Sequence, residues 1–140
     1  MGTRSTVHFS EKYLGGKRER KFCSIYQQYD GYPSGVGLFL GKFLRDTRGN
    51  GLTCIAAQYV AKIKDSPCNV YMTTHDDKQE YNYYITKETG GKYPIEETIT
   101  IKVTQENWTY DRDTDTQKTW YKRIFKGDLY DFIRWCDNEN

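Results

Sequence analysis

Ser24-Ile25-Tyr26-Gln27-Gln28-Tyr29-Asp30-Gly31-Tyr32-Pro33-Ser34-Gly35-Val36-Gly37-Leu38-Phe39-Leu40-Gly41 is the stretch from which the fold is read. It opens as a strand, in which Phe22, Ser24 and Tyr26 alternate with Cys23, Ile25 and Gln27. Asp30-Gly31 then signals a turn, and Pro33 fixes its own φ while pushing Tyr32 out of the helical region. Beyond it, Val36, Phe39, Leu40 and Phe43 recur at the spacing of one helix face, with Ser34 placed to cap them. The unit is therefore strand, glycine-bearing turn and helix start, and the sequence predicts free amides where Gly35 and Gly37 stand, an anion site in outline.

Outward from this unit, Ser5 to Phe9 alternates as a first strand, and Gly15-Gly16 predicts the turn of a hairpin that joins it to the second. The run Lys17-Arg18-Glu19-Arg20-Lys21 is read as a solvated strand edge or as an anion patch. One helix is expected over Val36 to Arg45, stopping near Gly49-Asn50-Gly51. A second is carried by Leu52, Ile55, Ala56, Tyr59, Val60 and Ile63 and ended by Asp65-Ser66-Pro67. Strands follow: Asn69 to Thr74 and Glu80 to Thr86 as a hairpin around His75-Asp76-Asp77-Lys78, then a loop over Lys87 to Pro94. Ile99, Ile101 and Val103 alternate with threonine and lysine on a strand expected to bury all three, and Asn107 to Tyr110 and Lys118 to Phe125 flank a turn at Asp111 to Asp115. Gly127-Asp128 opens a short last helix with Leu129, Phe132 and Ile133 apolar. The order predicts an α+β domain spanning residues 1–140, an antiparallel sheet with two short helices after the second strand and a short C-terminal helix.

Composition narrows the function. Among 140 residues, 21 basic and 19 acidic side chains leave a net charge of +2, which argues against a general nucleic-acid coat or a polybasic membrane binder. The hydrophobic share of 36% is low, but 13 Tyr, 6 Phe and 3 Trp supply rings enough for a core and for aromatic surface, which also suits a homo-oligomer. No apolar run approaches the length that spans a bilayer. Cys23, Cys54, Cys68 and Cys136 are widely spaced and the N-terminus is polar, so reduced thiols and a cytoplasmic location are expected.

Catalytic patterns are hard to find. The two histidines, His8 and His75, fall in a predicted strand and a predicted turn with no partner evident along the chain, so no catalytic residue is assigned and the protein is not expected to be an enzyme. Asp111, Asp113 and Asp115 have the spacing that opens a calcium loop, but Lys122 stands where its closing glutamate belongs; no metal and no cofactor is expected. Gly41-Lys42 follows no matching first glycine, which excludes a Walker loop, and glycines at 35, 37 and 41 do not form the dinucleotide fingerprint. Asp30 is read either as structural, buried against Arg4 or Arg45, or as a contact to a ribose or base.

Met1-Gly2-Thr3-Arg4-Ser5, together with Gln28-Tyr29-Asp30-Gly31-Tyr32-Pro33-Ser34-Gly35, resembles a family of small proteins of bacteriophage and bacterial genomes that pair an MGTRS start with a Y-x-Q-Y-D-G-Y-P-x-G segment. The likeness covers Met1 to about Arg45. It implies a phage accessory protein acting in the host cytoplasm, a class that includes compact proteins sequestering nucleotide immune signals. On that expectation the helix start from Ser34 through Gly35 to Gly37 takes phosphate with Arg4 or Lys42 nearby, and Tyr29 or Tyr32 stacks on a base of a cyclic or ADP-ribose-like nucleotide. The alternatives are an inhibitor that covers a host defence protein with an aromatic sheet face and, with least support, a phosphodiesterase.

Overall fold

A computed structural model describes residues 2–13, 18–49, 51–90 and 96–139. The Gly15-Gly16 turn, Asn50 and the Gly91–Pro94 part of the expected loop lie outside the described residues. Six strands, β1 (Ser5–Tyr13), β2 (Glu19–Gln27), β3 (Val70–Met72), β4 (Tyr81–Gly90), β5 (Glu96–Asp111) and β6 (Thr116–Asp128), form one sheet in the order β3-β2-β1-β4-β5-β6. Three helices, α1 (Leu38–Asp46), α2 (Leu52–Ile63) and α3 (Leu129–Asn138), accompany it, so the α+β class holds. None of the described helices is long and apolar enough to cross a membrane.

The sheet is mixed rather than antiparallel throughout. β1 and β4 run parallel at its centre, from Ser5 opposite Tyr81 to Tyr13 opposite Thr89, while the other neighbours are antiparallel. The expected hairpin around His75 to Lys78 is therefore absent: β3 extends the sheet beyond β2, and β4 lies on the far side of β1. Residues 73–80 carry the chain back across β2 and β1. The cause is the apolar side of β4. Tyr83 and Ile85 stand beside Val7 and Phe9, and this register sets both pairs on the buried face, where a slip of one residue would turn them to the other side.

That face is the core. Val7, Phe9, Ile25, Tyr83, Ile85, Ile101 and Val103 are all buried beneath Leu40, Leu44, Leu52, Ala56, Tyr59, Phe132 and Cys136 of the helices. Ile101 and Val103 are buried as expected, whereas Ile99 lies near the end of the sheet and is half-buried. Asn107 to Tyr110 is a continuation of β5, not a separate strand, and the turn at Asp111 to Asp115 leads into β6 as expected. Asp128 caps α3, its side chain accepting from the Asp131 amide at 2.8 Å.

The segment read first is more contorted than expected. Pro33–Gly37 forms one turn of π-helix capped by Tyr32, and α1 begins only at Leu38; Ser34 lies inside that turn, and no side-chain hydrogen bond caps it. Asp30 has a φ of 57°, in the left-handed region that aspartate tolerates better than most residues. Gly31 must be glycine, since a Cβ there would stand 2.7 Å from Ser5 Cβ and 2.9 Å from the carbonyls of residues 3 and 4. The turn is tied down on both sides: Gly31 N–H donates to Thr3 O at 2.9 Å, and Tyr83 Oη donates to Gly31 O at 2.7 Å.

Candidate functional site

Of the eight residues that the sequence singles out, three share the wall of one cavity. Tyr29, Asp30 and Gly35 line a cavity of about 640 Å³ together with Phe39, Lys62, Asp65 and Asn69. Arg4 is exposed ahead of β1, Lys42 is exposed on α1, and Tyr32 and Ser34 are not part of the cavity wall. Of the two amides expected to be free, that of Gly35 is in use, donating to Tyr32 O at 2.9 Å, and the intervening Val36 N–H donates to Asp30 O at 2.8 Å. Gly37 is buried, and a Cβ on it would lie 2.9 Å from Cys136 Sγ and 3.1 Å from the Tyr83 ring. Asp30 is exposed, not buried against Arg4 or Arg45: its carboxylate accepts from Tyr32 Oη at 3.3 Å, while Arg45 pairs with Asp46 at 2.7 Å. The cavity wall carries Asp30 and Asp65 against Lys62, a charge balance that repels phosphate.

A different site is built on the helix-free face of the sheet. Alternation places Thr6, His8, Ser10 and Lys12 of β1 on that face, beside Asn82, Tyr84, Thr86 and Glu88 of β4 and, one strand further, Lys102 and Thr100 of β5. One rank across the sheet reads Ser24, His8, Tyr84, Lys102, Lys126, each the register partner of the next. The His8 and Tyr84 rings stack at 4.8 Å, and Lys102 Nζ lies 4.7 Å from the Tyr84 ring centre. The crossing segment 73–80 walls the rank on one side with His75 and Lys78. The resulting basin holds about 390 Å³, and its lining includes Lys12, Lys21, Lys78, Lys102 and Lys126 against the carboxylates of Glu19 and Glu88.

Under the rim runs a chain of hydrogen bonds whose direction is determined. The amide of Gln79 donates to Asn82 Oδ1 at 2.7 Å and Asn82 Nδ2 donates to Gln79 O at 2.9 Å, which orients the Asn82 amide. Thr6 Oγ must then donate to Asn82 Oδ1, at 2.6 Å, and accept from His8 Nε2, at 2.8 Å. With its proton on Nε2, His8 accepts at Nδ1 from Ser24 Oγ, at 2.8 Å. Ser24, its one proton spent, accepts from His75 Nδ1 at 2.7 Å. Burial, with help from the nearby His75, pushes the His8 pKa down to about 4, against smaller opposing effects of the Asp77 backbone and carboxylate. Burial and the Lys21 charge likewise lower His75, against the attraction of Glu19. Both rings are therefore neutral near pH 7, and the chain stands as written.

Comparison of the chain with protein-family models, with curated proteins and with solved structures finds no match. The chemistry is read from the geometry. Ser24 donating to an imidazole lone pair is the pairing of nucleophile and base, so the histidines do have partners that linear sequence concealed. Ser24 is nevertheless only 5% exposed, with its hydroxyl held between His8 and His75, so it positions rings and does not meet substrate. What faces solvent is cationic and aromatic. None of the five rim lysines is in an ion pair with a described residue; the ion pairs among the described residues, Arg45 with Asp46 and Lys87 with Glu97, lie elsewhere.

Proposed function

We propose that the protein captures a small phosphate-bearing nucleotide, cyclic or ADP-ribose-like, in the lysine-rimmed basin and holds it unaltered. The observation that carries this is Lys102 beside Lys126. They are cross-strand partners on one face, and like charges so placed cost stability until an anion lies between them. The cavity's volume suits a mononucleotide-sized guest. In the setting implied by the likeness of the first 45 residues, a phage accessory protein in a host cell, such capture withdraws an immune signal and counteracts defence.

The test is a calorimetric titration with a panel of nucleotide second messengers. Lys102→Glu and Lys126→Glu are each expected to weaken binding about tenfold or more, while Lys42→Glu on α1 leaves it unchanged. The reverse result would return the site to the turn at Tyr29 to Gly37. A cleaved product accumulating with time would favour the phosphodiesterase reading.

A second reading rests on another observation. Beyond Gln105, β5 and β6 continue as a hairpin with no third strand among the described residues, and Trp108, Tyr110 and Trp120 are exposed on it at 60%, 51% and 43%. An inhibitor of a host defence protein would use that hairpin, and Trp108→Ala would then abolish activity without touching nucleotide affinity.

A further inference from the structure

We propose that the chain Asn82–Thr6–His8–Ser24 locks His75 in its Nδ1–H form, so that Nε2 serves the basin as a hydrogen-bond acceptor and takes a ribose hydroxyl of the guest. The hydroxyl contact rests on the nucleotide-capture reading; the lock does not. His75 lines the basin, and with Nδ1 turned to Ser24 the remaining nitrogen is the one available to a ligand. No described residue hydrogen-bonds to that nitrogen. A neutral imidazole nitrogen without a proton has nothing to offer a phosphate oxygen, which also only accepts. Its complement is a neutral donor close to the phosphate, and in a nucleotide the sugar hydroxyls fill that role.

Division of labour follows. The lysines attract charge without discriminating among phosphorylated guests, whereas His75 asks for a hydroxyl. The lock matters because a free imidazole exchanges between its two tautomers, and the wrong one would present a donor to the basin. Every link is needed to prevent this. Asn82 is oriented by Gln79, Thr6 has one proton, His8 is enclosed at 1% exposure, and Ser24 joins the two rings, which stand edge to face at 4.8 Å. The groups around His75 are Ser24 and Lys21 of β2, Glu19 at the start of that strand, and His8 of β1.

Two measurements decide the matter. Ring-nitrogen correlation NMR of the ligand-free protein near neutral pH should find the His75 proton on Nδ1; a proton on Nε2 overturns the lock whatever the protein binds. In Ser24→Ala the Nε2–H form should appear. Titrations of ADP against 2′-deoxy-ADP and 3′-deoxy-ADP should then show one deoxy compound binding about tenfold more weakly to the wild type, the scale of one good hydrogen bond. In His75→Phe that ratio should collapse to about one, with ADP still held by the lysines. Equal affinities for all three in the wild type overturn the hydroxyl contact. Failure of ADP and of every other nucleotide to bind overturns it together with the capture reading, and leaves the NMR result to judge the lock alone.

Discussion

Tyr83 Oη donates a 2.7 Å hydrogen bond to the carbonyl of Gly31, a residue 52 positions earlier in the chain. The bond fastens the central strand β4 to the turn that precedes α1, and it lies in the core, where burial pushes the Tyr83 pKa well up. Tyr83→Phe removes the donor and leaves a buried carbonyl without a partner. Urea denaturation should show a loss of about 1–2 kcal/mol. Nucleotide affinity should not change, since Tyr83 points to the helix side of the sheet and the basin lies on the other.

Gly37 is the next test, because it separates a backbone role from a binding role. Its missing side chain is what lets Cys136 Sγ and the Tyr83 ring approach. Gly37→Ala should cost about 1–3 kcal/mol by overpacking. Adding Cys136→Ala should recover part of this in a thermal melt, as the sulfur is the nearest obstacle but the ring remains 3.1 Å away.

Acid should loosen the molecule through His8. Its folded pKa of about 4 lies below the ordinary 6.5, so the unfolded chain takes up the proton first. The stability that His8 contributes is complete above pH 6.5 and is lost as pH falls from there through about 4. The full difference is about 3 kcal/mol. His75, lowered in the same direction, adds to the slope. Unfolding free energies measured across this range should decline in the wild type and decline less in His8→Gln.

Hydrogen exchange should divide β5 in two. Tyr83 to Gly90 covers β5 from Val103 back to Glu96, and Gln105 is the last residue of β5 with a partner in β4. Past it the strands pair only with each other as far as Asp111 opposite Thr116. A two-stranded ribbon is marginal in water, so amides of residues 107–120 should exchange orders of magnitude faster than those of residues 99–103. Equal protection would mean that something covers the hairpin in solution, a second copy of the chain being the first candidate.

What the sequence made legible was local. Leu52, Ala56 and Tyr59 mark α2 because helical spacing needs no knowledge of the rest of the chain, and Asp128 announces α3 by the same logic. The alternation in Val7 and Phe9 and in Tyr83 and Ile85 showed which sides are apolar but not that these strands are neighbours. Strands far apart in sequence and running parallel leave no turn between them to read. The basin on the helix-free face was hidden for the same reason. His8 and Tyr84 stand side by side only because β1 meets β4, and His75 reaches Ser24 only because residues 73–80 cross the sheet where a tight hairpin was expected. The polar members of β1 (Thr6, His8 and Ser10, all buried) were the available signal, since a strand that is buried on both sides and still polar on one must be satisfying hydrogen bonds there.

The parallel junction at the centre also dictates an order of events during synthesis. On the ribosome β1 emerges before β2 and can pair with it once Gln27 is clear, but its other edge is claimed by Tyr81–Gly90, which are translated much later. Through that interval the nascent hairpin carries Val7 and Phe9 with a bare row of amides and carbonyls from Ser5 to Tyr13. Its neighbours on crowded polysomes carry the same bare row. The growing chain is thus at its stickiest before β4 arrives, and a slow stretch of translation between Thr73 and Tyr81 would lengthen the exposure of the edge on which the finished sheet depends.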